Sequence, residues 1–353
     1  MKIDDLQVPI RRPENITAAY LADWMSRSTE YYQGPLLRHA KVLDHAHRMA
    51  VGEKPKSLLY FPDAQAREII MSSMLYYAIL KRWEESRIVY DVDMTTADSL
   101  LDTATDEEIP VSILRQVSHP SPMFVWREGI PYVSPDGYRA VLRAMYVTGH
   151  TESRGLTDIH DPDTENLLIM FVCDIEEDSE VVTVDTVRIH VPLNEQSLTL
   201  DKLVDDLEIN FAWQGMIRSG NHEANRRYIR DLLSIGLPHV FHACSSNADI
   251  GDPVPHRTIA KGKNKGKPTK DSIQNYPFGF RIGQSLRESS YSRPSRAGGT
   301  GSGGSRAPHW RRWHMHTYLY GKGRTIRKLK SMPPIFVRGS SRKKLDGTVI
   351  KLD

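Results

Sequence analysis

The chain has 353 residues, with 47 Lys+Arg against 44 Asp+Glu and 39% hydrophobic residues, enough apolar material for two packed units and too much for a wholly disordered chain. Its two cysteines, Cys173 and Cys244, exclude a disulfide-stapled scaffold. The longest apolar runs, Met74 to Leu80 and Leu167 to Cys173, are seven residues each, far short of the ~20 needed to cross a bilayer. The opening MKIDDLQVPIRR lacks the apolar core of a signal peptide, so a cytoplasmic protein without a membrane partner is expected.

In chain order, residues 17–110 read mainly helical. Apolar residues recur at three- and four-residue spacing in Leu21, Trp24 and Met25, and again in Ile69, Ile70, Met74, Tyr77 and Leu80, with Pro62 as a stop and Asp63 as an N-cap before the second helix. From Met123 the texture changes to β-branched and aromatic runs: Met123–Trp126, Tyr138–Thr148, Leu167–Ile175 and Val181–Val191. The last alternates with a period of two, and the short acidic stretch Glu176–Glu180 suits a hairpin turn, so a central antiparallel sheet is predicted. Helical spacing returns at Leu200–Leu207 and Ala224–Ile235, the second ending at Gly236 as a C′ residue with Pro238 just beyond. Residues 251–307 read as irregular, with KGKNKGKPTK at 261–270 and a Gly/Ser-rich stretch at 293–307, whose composition buries too little surface to offset chain entropy. His309–Tyr320, Thr325–Lys330 and Ile335–Val337 then read as short strands, and the tail from Ser340 as loose.

The expected fold class is α+β, with four regions. These are a helical N-terminal part (1–120), an acidic antiparallel sheet with helices (121–250), a basic flexible linker (251–307), and a basic β element rich in His, Arg and aromatic residues (308–353).

Charge is separated along this order. Residues 241–353 hold 23 Lys+Arg against 6 Asp+Glu, a net +17, and the remainder holds 24 against 38, a net −14. Most of the negative charge lies in 151–210, with 16 acidic residues against 3 basic. A basic segment this dense attracts phosphate by Coulomb steering and counterion release, whereas an acidic surface suits a basic peptide or the chain's own tail.

The chemistry concentrates in PHWRRWHMHTYLYGKGR, residues 308–324. As one strand it would carry Trp310, Arg312, His314, His316, Tyr318 and Tyr320 on one side, and His309, Arg311, Trp313 and Met315 on the other. Arginine forks pair with phosphate, aromatic rings stack on unpaired bases, and imidazole moves protons near neutral pH. His309, Arg311, Arg312, His314, His316, Tyr318, Lys322 and Arg324 are therefore the candidate RNA-binding residues. His314, His316 and Arg312 could also supply the base, acid and cation of a metal-free ribonuclease. The alternative is that these side chains only fill a sheet face.

Zinc on His239, His242 and Cys244 is disfavoured, because paired ligand clusters at tight spacing are missing. No metal or cofactor is expected. Gly262–Pro268 has three residues between its glycines, and proline where Ser or Thr should bind magnesium, so it is not a phosphate loop of the Walker type. Asp161, Asp163 and Glu165 read as a solvated turn, since no glycine and distal glutamate complete a calcium loop.

At the C-terminal block the sequence resembles the type V-A anti-CRISPR proteins that shut down production of the type V-A effector nuclease. The resemblance rests on Pro308, His309, Arg311, Arg312, His314, His316, Tyr318, Gly321, Gly323, Pro333, Ile335, Phe336 and Val337. Weaker echoes are Lys54-Pro55-Lys56 before Phe61-Pro62, and Pro277-Phe278 running into Ile282-Gly283. Trp313 stands where that family carries Gly, and Ser331 near where it carries Trp. The resemblance implies a protein that recognises a nascent target peptide, with Cas12a one candidate target, and promotes decay of the mRNA being translated, in contact with RNA or the ribosome. It leaves open whether the chain cuts RNA or recruits a nuclease. A stoichiometric protein inhibitor and a DNA-binding plasmid regulator remain as alternatives.

Overall fold

The apolar run at 167–173 belongs to a strand covered on both faces, and a mixed sheet is built around it. The computed structural model describes residues 33, 40–53, 64–101, 109–133, 139–151, 153–177, 180–194, 197–205, 222–255, 273–291, 309–311, 313–324, 326–333 and 335–337. Helices α1 (Ala40–Ala50) and α2 (Ala64–Ser86) lead into strand β1 (Ile88–Val92) and helix α3 (Met94–Leu101). Strand β2 (Ile109–Pro110) and a 3-10 turn (Val111–Gln116) precede β3 (Met123–Val133), β4 (Arg139–Thr151), β5 (Gly155–Thr157), β6 (Asn166–Glu177), β7 (Glu180–Pro192) and β8 (Ser197–Leu198). Helix α4 (His222–Cys244), strands β9 (Val254–Pro255) and β10 (Gln274–Phe278), and helix α5 (Phe280–Tyr291) follow. The C-terminal strands are β11 (His309–Arg311), β12 (His314–Tyr320), β13 (Ile326–Met332) and β14 (Ile335–Val337).

The sheet runs β7-β6-β4-β3-β1-β10-β9, with β5 beside β4. β1 is parallel to both β3 and β10, and every other pairing in this sheet is antiparallel. The pleat sorts its side chains into two cores. Leu167, Ile169, Phe171 and Cys173 join Phe124, Trp126 and the residues of α3, α4 and the C-terminal hairpin. Leu168, Met170 and Val172 join Met123, Val125 and α1 and α2. Helices cover both faces, which is why β6 is apolar without alternation. In β4 the register shifts between Leu142 and Ala144, so Leu142 and Met145, three apart, enter the same core.

The predicted class, α+β with helices in the N-terminal part and a mostly antiparallel central sheet, is the one observed. The expected helix bearing Met74, Tyr77 and Leu80 is α2, which buries all three, and the hairpin around 176–180 joins β6 to β7. Residues 200–205 are helical. The expectations at 17–25, at Pro62-Asp63 and from Ser340 onward lie outside the described residues.

Three local readings change. Residues 88–92, read within a helical stretch, form the interior strand β1. Arg87 makes the switch possible with φ 51°, its N–H closing on Trp83 O at 2.7 Å, a left-handed helix end usually given to glycine. Residues 274–291, read within an irregular linker, form β10 and α5; apart from Ile273, the rest of 256–308 lies outside the described residues. Phe278 is fully buried and Ile282 8% exposed, while a Cβ on Gly283 would collide with the Asp93 carboxylate. That carboxylate caps α3 through Thr96 N at 3.1 Å and holds Arg287 Nη1 at 2.9–3.0 Å.

Helix α4 does not stop at Gly236. It runs through Pro238 to Cys244. The glycine serves close packing, because a Cβ there would lie 2.7 Å from Phe171 Cζ and 3.1 Å from Met145 Sδ. Gly236→Ala is expected to cost about 1–3 kcal/mol by overpacking, despite alanine's better helix propensity. A urea midpoint equal to or above that of the parent would contradict this packing.

Candidate nucleic-acid interface

Strands β12 and β13 pair antiparallel from His314↔Met332 to Tyr320↔Ile326. They are joined by a turn in which Gly321, Gly323 and Arg324 all have positive φ and Arg324 N–H bonds Gly321 O at 3.0 Å. Alternation gives the hairpin two unlike faces. Inward, Trp313, Met315, Leu329 and Ser331 are buried against the core that contains α4. Outward stand His316, Tyr318, Tyr320, Lys328 and Lys330, half-buried or exposed.

The outward face is ordered by ring contacts. His316 meets Tyr318 edge-on, centroids 4.5 Å apart. Lys330 Nζ lies 5.1 Å from the centroid of Tyr318, and Lys328 Nζ 5.1 Å from that of Tyr320. Each lysine leans one step diagonally towards the turn, within reach for a long side chain on a strand pair. Lys322 and Arg324 are exposed at the tip, beside Leu319 (53% exposed) and Ile326 (56%). Among the described residues, none of Lys322, Arg324, Lys328 and Lys330 forms an ion pair with a carboxylate.

Polar contacts lock the inward face to the end of α4. Ser331 Oγ accepts from Trp313 Nε1 at 2.7 Å and lies 2.8 Å from His242 Nδ1. His242 Nε2 accepts the Asp249 N–H at 3.2 Å, so the neutral ring carries its proton on Nδ1 and donates it to Ser331. Asn247 brackets the backbone of Ser331, accepting its N–H at 3.0 Å and donating to its carbonyl at 2.7 Å. Burial pushes His242 down to about 3, which keeps the ring neutral.

The AcrVA2-like family, described as the anti-CRISPR type V subtype A2 family, matches residues 90–339. The chain belongs to this family. A solved structure titled "Crystal structure of AcrVA2" is similar to this AcrVA2-like chain at 15% identity and a TM-score of 0.46, covering 91% of this chain and 96% of that one. No curated protein matches.

In this AcrVA2-like chain the predicted site residues separate. His314, His316 and Tyr318 share β12, as the alternation implied, and Lys322 and Arg324 lie in the turn that follows. His309 and Arg311 do not continue that strand. They lie in β11, which pairs with β14 through His309↔Val337 and Arg311↔Ile335 as a separate two-stranded sheet. Arg312 lies outside the described residues. Lys328 and Lys330 were missed as site residues, although the period-two pattern of Lys328-Leu329-Lys330 carries the signal: with Leu329 inward, both lysines face out.

Trp313 and Ser331 touch across the hairpin through the bond from the indole N–H to the serine hydroxyl. His239, like His242, uses both ring nitrogens within the protein. Nε2 accepts from Trp126 Nε1 at 3.2 Å and Nδ1 donates to Ile235 O at 2.7 Å, so neither ring has a lone pair free for zinc. Burial also pushes the Cys244 thiol up, away from thiolate. Among the described residues no group of three or more His, Cys, Asp or Glu could hold a metal, and no helix is long and apolar enough to cross a membrane. Asp161 and Asp163 form a turn, Asp161 Oδ1 accepting Asp163 N–H at 2.9 Å.

Proposed function

We propose that this chain is an anti-CRISPR protein that recognises a nascent peptide of its target, Cas12a being the candidate that family membership suggests, and promotes decay of the translated mRNA, touching RNA through the β12–β13 hairpin. The observation that carries the RNA contact is the outward hairpin face: four cations without a carboxylate partner among the described residues, set among tyrosine and histidine rings. Such a face is matched to phosphate and bases. Peptide recognition is assigned to residues 1–250, where the acidic excess lies.

Replacing Lys328 and Lys330 by glutamine removes two cations from an exposed face without touching the core. Association with RNA or ribosomes is expected to fall by roughly tenfold at 0.15 M salt, and loss of the target message in translating cells to weaken with it. Unchanged association and unchanged message loss would end this reading. Incubation of the purified protein with RNA, with and without EDTA, separates binding from cutting: cleavage in EDTA would assign the face to a metal-free nuclease instead.

A further inference from the structure

The outward hairpin face has a spacing that discriminates between forms of nucleic acid. His316, Tyr318 and Tyr320 occupy alternate positions of β12, so the backbone positions that carry them stand about 6.6–6.8 Å apart, with the rings of His316 and Tyr318 closing edge-on to 4.5 Å. Nucleotides of a duplex strand advance only about 3.4 Å each along the axis. Parallel stacked bases therefore cannot lie flat on successive rings, since the strand step is longer than theirs and the His316 and Tyr318 rings stand at 76° to each other, whereas nucleotides splayed apart can, one per ring, as on other aromatic-bearing sheets that bind single strands.

The cations follow the same step. Lys330 rests on the ring of Tyr318 and Lys328 on that of Tyr320, which sets one ammonium beside each ring for the phosphate of the nucleotide stacked there. Tyr320 is 45% exposed, leaving ring surface for a base at the open end of the face. Lys322 and Arg324 then extend the cationic track round the turn, where Gly321 and Gly323 at φ 81° and 79° let the backbone double back.

The geometry points to an unpaired RNA segment of about three nucleotides as the ligand of this face, bases on His316, Tyr318 and Tyr320 and phosphates on Lys328, Lys330, Lys322 and Arg324. This rests on the RNA-contact reading above and narrows it to single strands.

The test is fluorescence anisotropy of the full chain with a labelled nine-nucleotide RNA, alone and annealed to its complement, across a salt series. The single strand is expected to bind at least tenfold more tightly than the duplex, with a slope of log K against log salt near −3 for four phosphates at ~0.7 each. Tyr318→Leu/Tyr320→Leu keeps both exposed positions apolar and should weaken single-strand binding by tenfold or more while leaving duplex binding and the salt slope in place. Equal affinity for the two probes, or single-strand binding unaffected by the tyrosine changes, would overturn the single-strand assignment and leave RNA contact standing. Failure to bind either probe would overturn both.

Discussion

Replacing Trp313 by alanine is expected to lower the unfolding free energy by about 3–5 kcal/mol, the usual cost of removing a fully buried tryptophan, and to release the β12–β13 hairpin from α4. Trp313 has no exposed surface and lies with Met315 and Leu329 in the same core as Phe278 and α4. Its ring meets His242 edge-on at 5.2 Å. Loss of the indole therefore opens a cavity at the joint that orients the outward hairpin face, and under the RNA-contact proposal RNA affinity is expected to fall although no outward residue has changed. Ser331→Ala probes the same joint by chemistry rather than volume. It leaves the Trp313 Nε1–H and His242 Nδ1–H donors without their acceptor, at about 1–3 kcal/mol for a stranded buried donor. Urea melts and protease sensitivity of the hairpin report both variants. A change below about 1 kcal/mol for Trp313→Ala would mean that the hairpin is not anchored here.

Mild acid is the second strong lever. His242 is pushed down to about 3, His239 to about 4 and His190 to about 3, in each case chiefly by burial. Unfolding returns each imidazole to its ordinary value near 6.5. Above that value both states are neutral and stability does not change with pH on their account. Below it the unfolded chain takes up protons that the folded chain refuses, so each ring costs about 1.4 kcal/mol per pH unit until its folded value is reached. Three rings acting together over two pH units remove on the order of 8 kcal/mol, comparable with the whole stability of a typical domain. Unfolding is therefore expected between about pH 4 and 5, followed by circular dichroism. His242→Gln, which can still donate to Ser331 and accept from Asp249, should flatten the decline between pH 7 and 5 by about one third. An acid limb with the same slope in this variant would show that His242 is not the neutral buried ring described.

Much of this architecture was legible because the signals were local. The β-branched and aromatic runs at 123–126, 167–175 and 181–191 each became strands, and the helical spacing through Met74, Tyr77 and Leu80 became α2. What escaped was set by tertiary contact. Ile88–Val92 is too short to stand out beside a 23-residue helix, and its strand state depends on β3 and β10 on either side. Gly236 and Pro238 spell a helix end in any local reading, but the helix runs on to Cys244, and the glycine instead admits Phe171 and Met145 close to its backbone. The outward ring face was visible in the alternation of β12. Its lysines were not read as part of it, because membership depends on the register of a second strand, and that His309 and Arg311 pair with β14 while β12 pairs with β13 has no local marker.

The order in which the sheet is completed has a consequence for how the protein is made. β1 is an interior strand of the sheet, yet its partner β10 lies some 180 residues later, and β2–β9 fall between them in the chain. A ribosome would have to deliver more than three quarters of the chain before that edge could close, so assembly is governed by a long-range closure of the slow kind. Truncation after residue 250 would strand β1 with one ladder of open amides beside a waiting apolar surface. A cut at that point would remove the positively charged end and β10 together, so the two are lost as one.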